Sequence, residues 1–168
     1  MSALPGKTMI IGIVAVDRNG AIGKGGELPW HYSADMKFFK ETTTGNAVVM
    51  GHNTWRSIKK PLPNRLNIVL SRQSEIETRD SLLVLRDVES VLSKAKDLNG
   101  DLFVIGGEQV YRSFLPYIEK WIVTEVPLAI ENADAFVPEN YLAGFELTDS
   151  RKIGDELTVS FYNRAKLS

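Results

Sequence analysis

The chain has 168 residues, of which 43% are hydrophobic and 24% charged, and its formal net charge is -1 at pH 7. These values fit one globular domain with a substantial core, and they argue against nonspecific nucleic-acid binding, which requires a basic surface. The lack of cysteine excludes a disulfide framework, thiolate metal ligands and a cysteine nucleophile, and it fits a cytoplasmic location. With only His31 and His52, a histidine-rich metal centre is not expected, and no apolar run is long enough to cross a bilayer.

Short β-branched runs alternate with helix-like segments, a pattern typical of a single α/β domain. The predicted strands span residues 9–16, 47–50, 67–70, 82–85, 102–105 and 121–126. The predicted helices span residues 34–42, 53–58, 88–98 and 108–115, the third of them capped by Asp87. Because residues 10–16 are almost continuously apolar, we expect a strand covered on both faces of a largely parallel sheet.

The last segments differ from this alternation. Residues 145–152 and 158–165 predict two strands joined by a turn at 153–156, which would form an antiparallel hairpin that finishes the sheet. Residues 1–7 contain little to bury and predict a loose leader, so the domain proper would span residues 8–168.

Asp35 is an isolated carboxylate in an otherwise apolar helix start. If Ser33 is the N-cap, Asp35 lies beside Phe38 and Phe39, because side chains three and four residues apart share a helical face. Apolar surroundings raise the pKa of a carboxyl group and make it a candidate for polar recognition or proton chemistry. The simpler interpretation is a solvated acid that complements the helix dipole.

Residues 19–28, which we name the lid loop, contain four glycines. Gly20, Gly23, Gly25 and Gly26 suit a mobile loop that excludes bulk water when it closes over a site. Ordinary turn chemistry also explains glycines at such spacings, and the two interpretations are compatible.

Two predicted strands run through glycines directly into helices, at Gly51 and at Gly106-Gly107. Glycine lets the backbone approach a ligand closely, and the free amides of a helix start attract negative charge. Two such junctions could face one diphosphate. Since no complete G-x-G-x-x-G pattern is present, this is not an ordinary dinucleotide-binding fingerprint.

Several polar residues stand near these junctions. Ser71 and Arg72 follow a strand and would suit a phosphate monoester, which together with His52 and Asn53 favours a phosphorylated nucleotide. The proline loop at residues 60–65 contains Arg65, whose guanidinium can bind a carboxylate in bidentate fashion. Taken singly, each arginine is more simply a solvated loop charge.

Six segments occur in order along the chain: Ile13-Val14-Ala15, Leu28-Pro29-Trp30, Asp35, Gly51-His52-Asn53-Thr54-Trp55, Pro61-Leu62-Pro63-Asn64-Arg65 and Ile105-Gly106-Gly107-Glu108-Gln109-Val110-Tyr111. With them the chain resembles dihydrofolate reductases of the bacterial chromosomal type over residues 9–167. The resemblance implies an eight-stranded, mostly parallel sheet with four helices, in which about residues 46–98 form the adenosine-binding part. It also implies NADPH as cofactor, 7,8-dihydrofolate as substrate, tetrahydrofolate for one-carbon and thymidylate metabolism as product, and a monomer that binds antifolates.

The resemblance also implies roles for residues on the substrate side. Asp35 would hold the pterin, Thr124 would be linked to that carboxylate, and Arg65 would bind the glutamate α-carboxylate. The implied catalytic residues are Asp35, Trp30, Leu28, Tyr111 and Thr124. The implied substrate-binding residues are Ile13, Val14, Asp35, Met36, Phe39, Ile58, Leu62, Arg65, Ile105 and Thr124.

On the cofactor side, the resemblance implies that Ala15 and Ile22 contact the nicotinamide carboxamide and that Ser71 and Arg72 face the 2'-phosphate. The implied cofactor-binding residues are Ala15, Ile22, Gly23, Gly51, His52, Asn53, Thr54, Leu70, Ser71, Arg72, Ile105, Gly106, Gly107, Glu108, Gln109, Val110 and Tyr111.

The expected reaction is hydride transfer to the pterin with a proton delivered to N5 through water while Asp35 polarises the ring. A pyrimidine reductase of riboflavin synthesis is the alternative enzyme, but it lacks the pairing of this carboxylate with a proline-arginine loop. A noncatalytic pterin- or nucleotide-binding module is the alternative from another class. Ala133-Asp134-Ala135 departs from the family's usual Gly-Asp-Thr, and we expect this to alter the stability of the lid loop.

Overall fold

The computed structural model describes residues 8–25, 28–72, 78 and 81–166, so the predicted leader and Gly26 of the lid loop lie outside the described residues. The strands are β1 Ile10–Val16, β2 Ala21–Gly23, β3 Ala47–Gly51, β4 Leu66–Leu70, β5 Leu82–Leu85, β6 Leu102–Val104, β7 Lys120–Glu125, β8 Ala135–Phe136, β9 Phe145–Ile153 and β10 Leu157–Arg164. The helices are α1 Ser33–Thr43, α2 His52–Ile58, α3 Val88–Ala95 and α4 Glu108–Phe114. None of these described helices is both long and apolar enough to cross a membrane.

Eight of the described strands form one sheet in the order β5-β4-β3-β6-β1-β7-β10-β9. The pairings from β5 through β7 are all parallel, whereas β10 pairs antiparallel with both β7 and β9. The mostly parallel sheet and its antiparallel C-terminal hairpin confirm the predicted architecture. The sequence order reverses around β1 and β6, so the carboxyl ends of β1, β3, β6 and β7 lie near one another.

The central strands are buried on both faces, as the apolar run in β1 predicts. Ile11 and Ile13 belong to one buried cluster, whereas Ile10, Val14 and Val16 belong to the other. This alternation follows from the two-residue period of a strand. The two clusters, named here the α1 face (with Ile11 and Ile13) and the α4 face (with Val14 and Val16), lie on opposite sides of the sheet.

Two predicted helix ends are wrong. Ser33 is the first residue of α1 rather than its N-cap, which is Tyr32 and makes no side-chain capping bond. α3 ends at Ala95 rather than residue 98, because Asp97 N and Leu98 N donate to carbonyls only three residues back, as in a turn. The Asp87 cap is confirmed, since its carboxylate accepts a hydrogen bond from Ser90 N at 2.7 Å.

A second, two-stranded sheet of β2 and β8 lies beside the main sheet and was not predicted. It is anchored by Asp17, a buried carboxylate that accepts hydrogen bonds from Asn19 N (2.8 Å), Ala21 N (2.8 Å) and Ile130 N (2.7 Å). Burial alone would raise the pKa of Asp17, but these backbone donors hold it below its ordinary value. Asp17 therefore joins the start of the lid loop to the segment that precedes β8.

Candidate active site

Asp35 lies in the first turn of α1, half-buried on the α1 face of the sheet. The hydroxyl of Thr124, a residue of β7 that is 2% exposed, donates a hydrogen bond to the Asp35 carboxylate. Burial raises the pKa of Asp35 above its ordinary value, and the bond from Thr124 offsets part of that rise. The structure thus brings together the acid and the threonine that the sequence resemblance linked.

Apolar side chains surround this acid on the α1 face. Of the predicted substrate-binding residues, those that pack in or against the α1-face cluster are Ile13, Phe39, Ile58, Leu62 and Ile105. Leu28 and Met36 are 57% and 55% exposed, which places them at the rim rather than in the interior. Val14 is the exception among the predicted substrate residues, because its side chain packs on the opposite, α4 face.

Tyr111 reaches the same strand ends from the α4 face. Its hydroxyl donates to the Ile13 carbonyl at 2.7 Å, and its ring packs against Trp121 with centroids 5.6 Å apart. Burial raises the pKa of the Tyr111 phenol, and the nearby Tyr141 and Asp35 raise it further. Tyr111 therefore stays protonated and acts here as a hydrogen-bond donor and packing surface.

Arg65 directly precedes β4 and is only 7% exposed. Its Nη1 donates to Thr43 Oγ1 at 3.0 Å and its Nε to the Pro63 carbonyl at 2.9 Å. Burial lowers the pKa of this guanidinium. No carboxylate of the described residues forms an ion pair with it, so a buried positive charge is held by neutral acceptors alone.

The two glycine junctions meet at the carboxyl ends of β3 and β6. Gly51 N donates to the Gly106 carbonyl at 2.9 Å, and the Gly106–Gly107 peptide bond is cis. Gly106 has φ +108°, and a Cβ there would lie 3.1 Å from the Tyr111 ring, so only glycine fits without strain. A Cβ on Gly107 would lie 3.9 Å from Thr54 Oγ1, which places the start of α2 beside this turn.

The polar residues at the neighbouring strand ends continue this surface. His52 Nδ1 and Ser71 Oγ lie 3.4 Å apart, so the start of α2 adjoins the end of β4. Arg72 is exposed, and its charge lies near Asp87, whose pKa is lowered first by hydrogen bonds from Ser90 and further by Arg72.

The remaining predicted cofactor residues follow the same elements. Ala15 in β1 pairs in register with Thr124 of β7, so a residue predicted to contact the nicotinamide and one predicted to contact the substrate lie on adjacent strands. Asn53 and Gln109 are exposed, and Gly23 is buried in β2. The side chains of Ile22, Leu70, Val110 and Tyr111 all pack in or against the α4-face cluster.

The lid loop is joined to the segment that departs from the family pattern. Gly25 N donates to Asp134 Oδ2 at 2.9 Å, and Asp134 N donates to the Gly23 carbonyl at 3.1 Å. Asp134 therefore contacts the lid loop through both its carboxylate and its backbone amide. The Trp30 indole Nε1 is buried, with no hydrogen-bond partner among the described residues.

Two functional-site contacts were not foreseen from the sequence. Glu108 Oε1 accepts a hydrogen bond from Phe136 N at 2.9 Å, so this carboxylate contacts β8. Asp17 is the other, although Asp17-Arg18-Asn19-Gly20 is typical of a turn in which an aspartate binds its own following amides. In the described part of the chain, no three His, Cys, Asp or Glu side chains cluster as a metal site.

Comparison with known proteins identifies the family. The family model described as dihydrofolate reductase matches residues 9–165. The dihydrofolate reductase of Mycobacterium tuberculosis is 39% identical over 136 residues, covering 78% of this chain and 81% of that protein. That of Bacillus subtilis is 36% identical over 146 residues, covering 86% of this chain and 84% of that protein. The chain belongs to the dihydrofolate reductase family.

A solved structure supports the same assignment. The Enterococcus faecalis dihydrofolate reductase, complexed with NADP(H) and RAB-propyl, superposes with a TM-score of 0.88 at 32% identity. The match covers 97% of this chain and 100% of that one. The sheet, the hairpin and the helices around the glycine junctions are therefore shared over nearly the whole length.

Proposed function

We propose how the residues of this chain carry out the reaction of its family, in which dihydrofolate is reduced with NADPH. The chain is an enzyme of this class, and NADPH supplies the hydride. The observation that carries the assignment of the site is the half-buried Asp35, whose carboxylate is held by Thr124 among apolar side chains.

Asp35 recognises the pterin. A carboxylate is an acceptor for the ring N–H and the 2-amino group, and the apolar surroundings strengthen such hydrogen bonds because they exclude competing water. Thr124 keeps the carboxylate in place from the neighbouring strand. Asp35 raises the basicity of the pterin N5 through the ring, and the proton reaches N5 through water rather than from the carboxyl group itself. We assign the Trp30 indole N–H, which is buried without a hydrogen-bond partner among the described residues, as a donor to that water.

The rest of the substrate extends along the α1 face. Phe39, Ile58 and Leu62 offer apolar surface to the pterin and aminobenzoyl groups. Arg65 binds the glutamate α-carboxylate, since a planar guanidinium binds a carboxylate in bidentate fashion and this one has no ion-pair partner among the described residues. Leu28 and Met36 close the rim, and antifolates would compete for the same carboxylate and rim.

NADPH fits the surface formed by the glycine junctions. Gly51, Gly106 and Gly107 have no side chains and so let a ligand approach the backbone closely. Thr54, which lies beside Gly107, would bind a phosphate oxygen. Ser71 and Arg72 would hold the 2'-phosphate. His52, whose Nδ1 lies 3.4 Å from Ser71 Oγ, would continue the diphosphate site with Asn53 and Thr54. Ala15, Ile22 and Gly23 face the nicotinamide, and Tyr111 supports β1 beneath it through the Ile13 carbonyl.

Catalysis in this arrangement is mainly positioning, because hydride transfer requires the donor and acceptor carbons to be aligned at close range. The register of Ala15 with Thr124 sets cofactor-side and substrate-side groups on adjacent strands. The lid loop, held by Asp134, excludes water from this junction. All these residues belong to one chain, so we also propose that the monomer is active.

The test is NADPH oxidation measured by absorbance with 7,8-dihydrofolate as substrate. The wild-type protein should turn over, and Asp35→Asn should lower kcat at pH 7 by about 10²-fold or more, the lower end of the contribution of general acid–base assistance, because N5 would lose the basicity that Asp35 gives it. Asp97→Asn, which alters an exposed aspartate after α3, is the matched control and should turn over normally.

Near-normal turnover by Asp35→Asn would reject the role of this carboxylate. A wild-type protein that binds NADPH but does not oxidise it with dihydrofolate would favour the pyrimidine reductase or the noncatalytic binding module.

A further inference from the structure

Glu108 makes two contacts that cofactor binding does not explain. Its Oε1 accepts a hydrogen bond from the backbone Phe136 N at 2.9 Å. Its Oε2 lies 3.3 Å from Arg112 Nη2, one turn further along α4. Both oxygens of the carboxylate are therefore engaged, and the side chain extends toward β8.

Phe136, whose backbone amide donates to Glu108, belongs to β8, the strand that supports the lid loop by pairing with β2. Phe136 pairs in register with Ala21 of β2, and Val137 N donates to the Gly20 carbonyl at 3.0 Å. β2 lies within the lid loop and carries Ile22 and Gly23. Any displacement of β8 away from α4 would therefore carry β2 with it.

At the other end of this connection, Glu108 follows Gly106 and Gly107 directly in the chain. Gly106 is fixed by the bond from Gly51 N to its carbonyl, and Gly107 accepts from Tyr111 N at 3.0 Å. The Glu108 side chain thus connects the turn proposed to lie along the diphosphate to β8, the strand that pairs with β2 of the lid loop.

We propose that Glu108 is a positioning residue that ties the diphosphate-binding turn to the β2–β8 sheet and thereby sets how long NADPH stays bound. This inference rests on the proposed cofactor site. The bond from Phe136 N favours the arrangement in which Ile22 and Gly23 face the nicotinamide, and a ligand held by one arrangement binds more weakly when the population of that arrangement falls.

A purely electrostatic role of Glu108 predicts the opposite change in NADPH binding when the residue is replaced. A carboxylate next to the diphosphate would repel it, so removal of the charge would tighten NADPH. Glutamine separates the two models, because its side-chain oxygen can still accept the bond from Phe136 N while its charge is lost.

The experiment measures NADPH dissociation by stopped-flow competition in the absence of substrate. Glu108→Ala should accelerate dissociation about five-fold, the lower end of typical coupling between sites. Glu108→Gln should restore a rate within about two-fold of the wild type, since the acceptor remains. Arg112→Ala, which leaves the bond to Phe136 intact, should resemble Glu108→Gln, and Glu89→Ala, in the first turn of α3, is the matched surface control.

Limited trypsin digestion supplies a second readout at Lys24, an exposed residue just beyond β2. Cleavage at Lys24 should be faster in Glu108→Ala, which loses the hydrogen bond from Phe136 N, than in Glu108→Gln, which keeps it. Slower NADPH release in both Glu108 variants, or an altered melting temperature with unchanged release and cleavage, would overturn the proposal. These measurements need no turnover. A failure of the proposed role of Glu108 can therefore be distinguished from a failure of the reductase activity, which the dihydrofolate assay reports.

Discussion

At the scale of single residues, Asp35 lies where its charged form is disfavoured. Its raised pKa means that the folded protein binds a proton at this group more readily than the unfolded chain does. The stabilisation from this proton is therefore complete below the unfolded-state pKa near 4 and is lost as pH rises through the higher folded-state pKa.

This predicts a pH-dependent difference in stability between wild type and Asp35→Asn. Relative to the wild type, the free energy of unfolding of Asp35→Asn should increase from pH 4 to pH 7, because asparagine has no charge to desolvate. Urea unfolding of the ligand-free proteins at both pH values measures the difference, with Asp97→Asn as control. A difference that stays constant with pH would show that burial does not shift this carboxyl group.

The sequence made part of this site predictable at the residue level. The apolar neighbours of Asp35 follow from helical spacing within one element, and Phe38 and Phe39 do pack against the α1-face cluster. The bond from Phe136 N to Glu108 joins residues 28 positions apart in different elements. No local periodicity encodes such a contact, because it depends on how β8 lies against α4.

At the scale of elements, the longer strands and all four helices were predictable because each carries a periodic pattern over several residues. β2 and β8 were missed since strands of three and two residues are too short for alternation to be seen. Ser33 was misplaced as a cap because a serine before an acidic helix start fits both the cap and the first helical turn.

The contact between β1 and β7 predicts a specific incompatibility at Gly12. A Cβ on Gly12 would lie 2.5 Å from Trp121 Cε3, inside the fully buried part of the α4 face. Gly12→Ala should therefore lower the free energy of unfolding by about 1–3 kcal/mol through overpacking. Combination with Trp121→Leu should recover part of this loss, giving a coupling energy of about 1 kcal/mol or more in chemical denaturation.

The control for this cycle is Trp55→Leu, which alters a tryptophan packed on the opposite face. Its effect should simply add to that of Gly12→Ala. Additivity with Trp121→Leu as well would show that the close approach of these two residues is relieved elsewhere. Because Trp121 also packs against Tyr111, the pair determines how firmly the Tyr111 ring is supported.

At the scale of the whole molecule, the predicted substrate and cofactor residues differ in the face of the sheet on which most of their apolar side chains pack. The predicted apolar substrate residues other than Val14 lie on the α1 face, whereas Ile22, Leu70, Val110 and Tyr111 of the predicted cofactor residues pack on the α4 face. Residues of the two sets are adjacent near the carboxyl ends of β1 and β7, where Ala15 pairs in register with Thr124. A ligand that contacts the ends of several central strands should stabilise the entire fold.

This predicts a measurable preference between cofactors. NADPH at about 100 times its Kd should raise the free energy of unfolding by about 2.7 kcal/mol, and NADH at the same concentration should raise it less. In Arg72→Ala, NADPH and NADH should raise the free energy of unfolding by similar amounts, because the 2'-phosphate loses a cationic partner. Thermal unfolding with each cofactor tests this, and Arg151→Ala on β9 is the control. If Arg72→Ala reduced the stabilisation by NADPH and by NADH equally, Arg72 would not contact the 2'-phosphate.

The position of β10 between β7 and β9 has a consequence for protein synthesis. β7 carries Thr124, and its outer edge is covered by β10, the last described strand to leave the ribosome. Every residue proposed to contact substrate or cofactor precedes β10 in the chain, yet until β10 emerges β7 has an unpaired edge. An exposed strand edge pairs readily with other chains, so the nascent chain passes through an aggregation-prone stage just before it can become active.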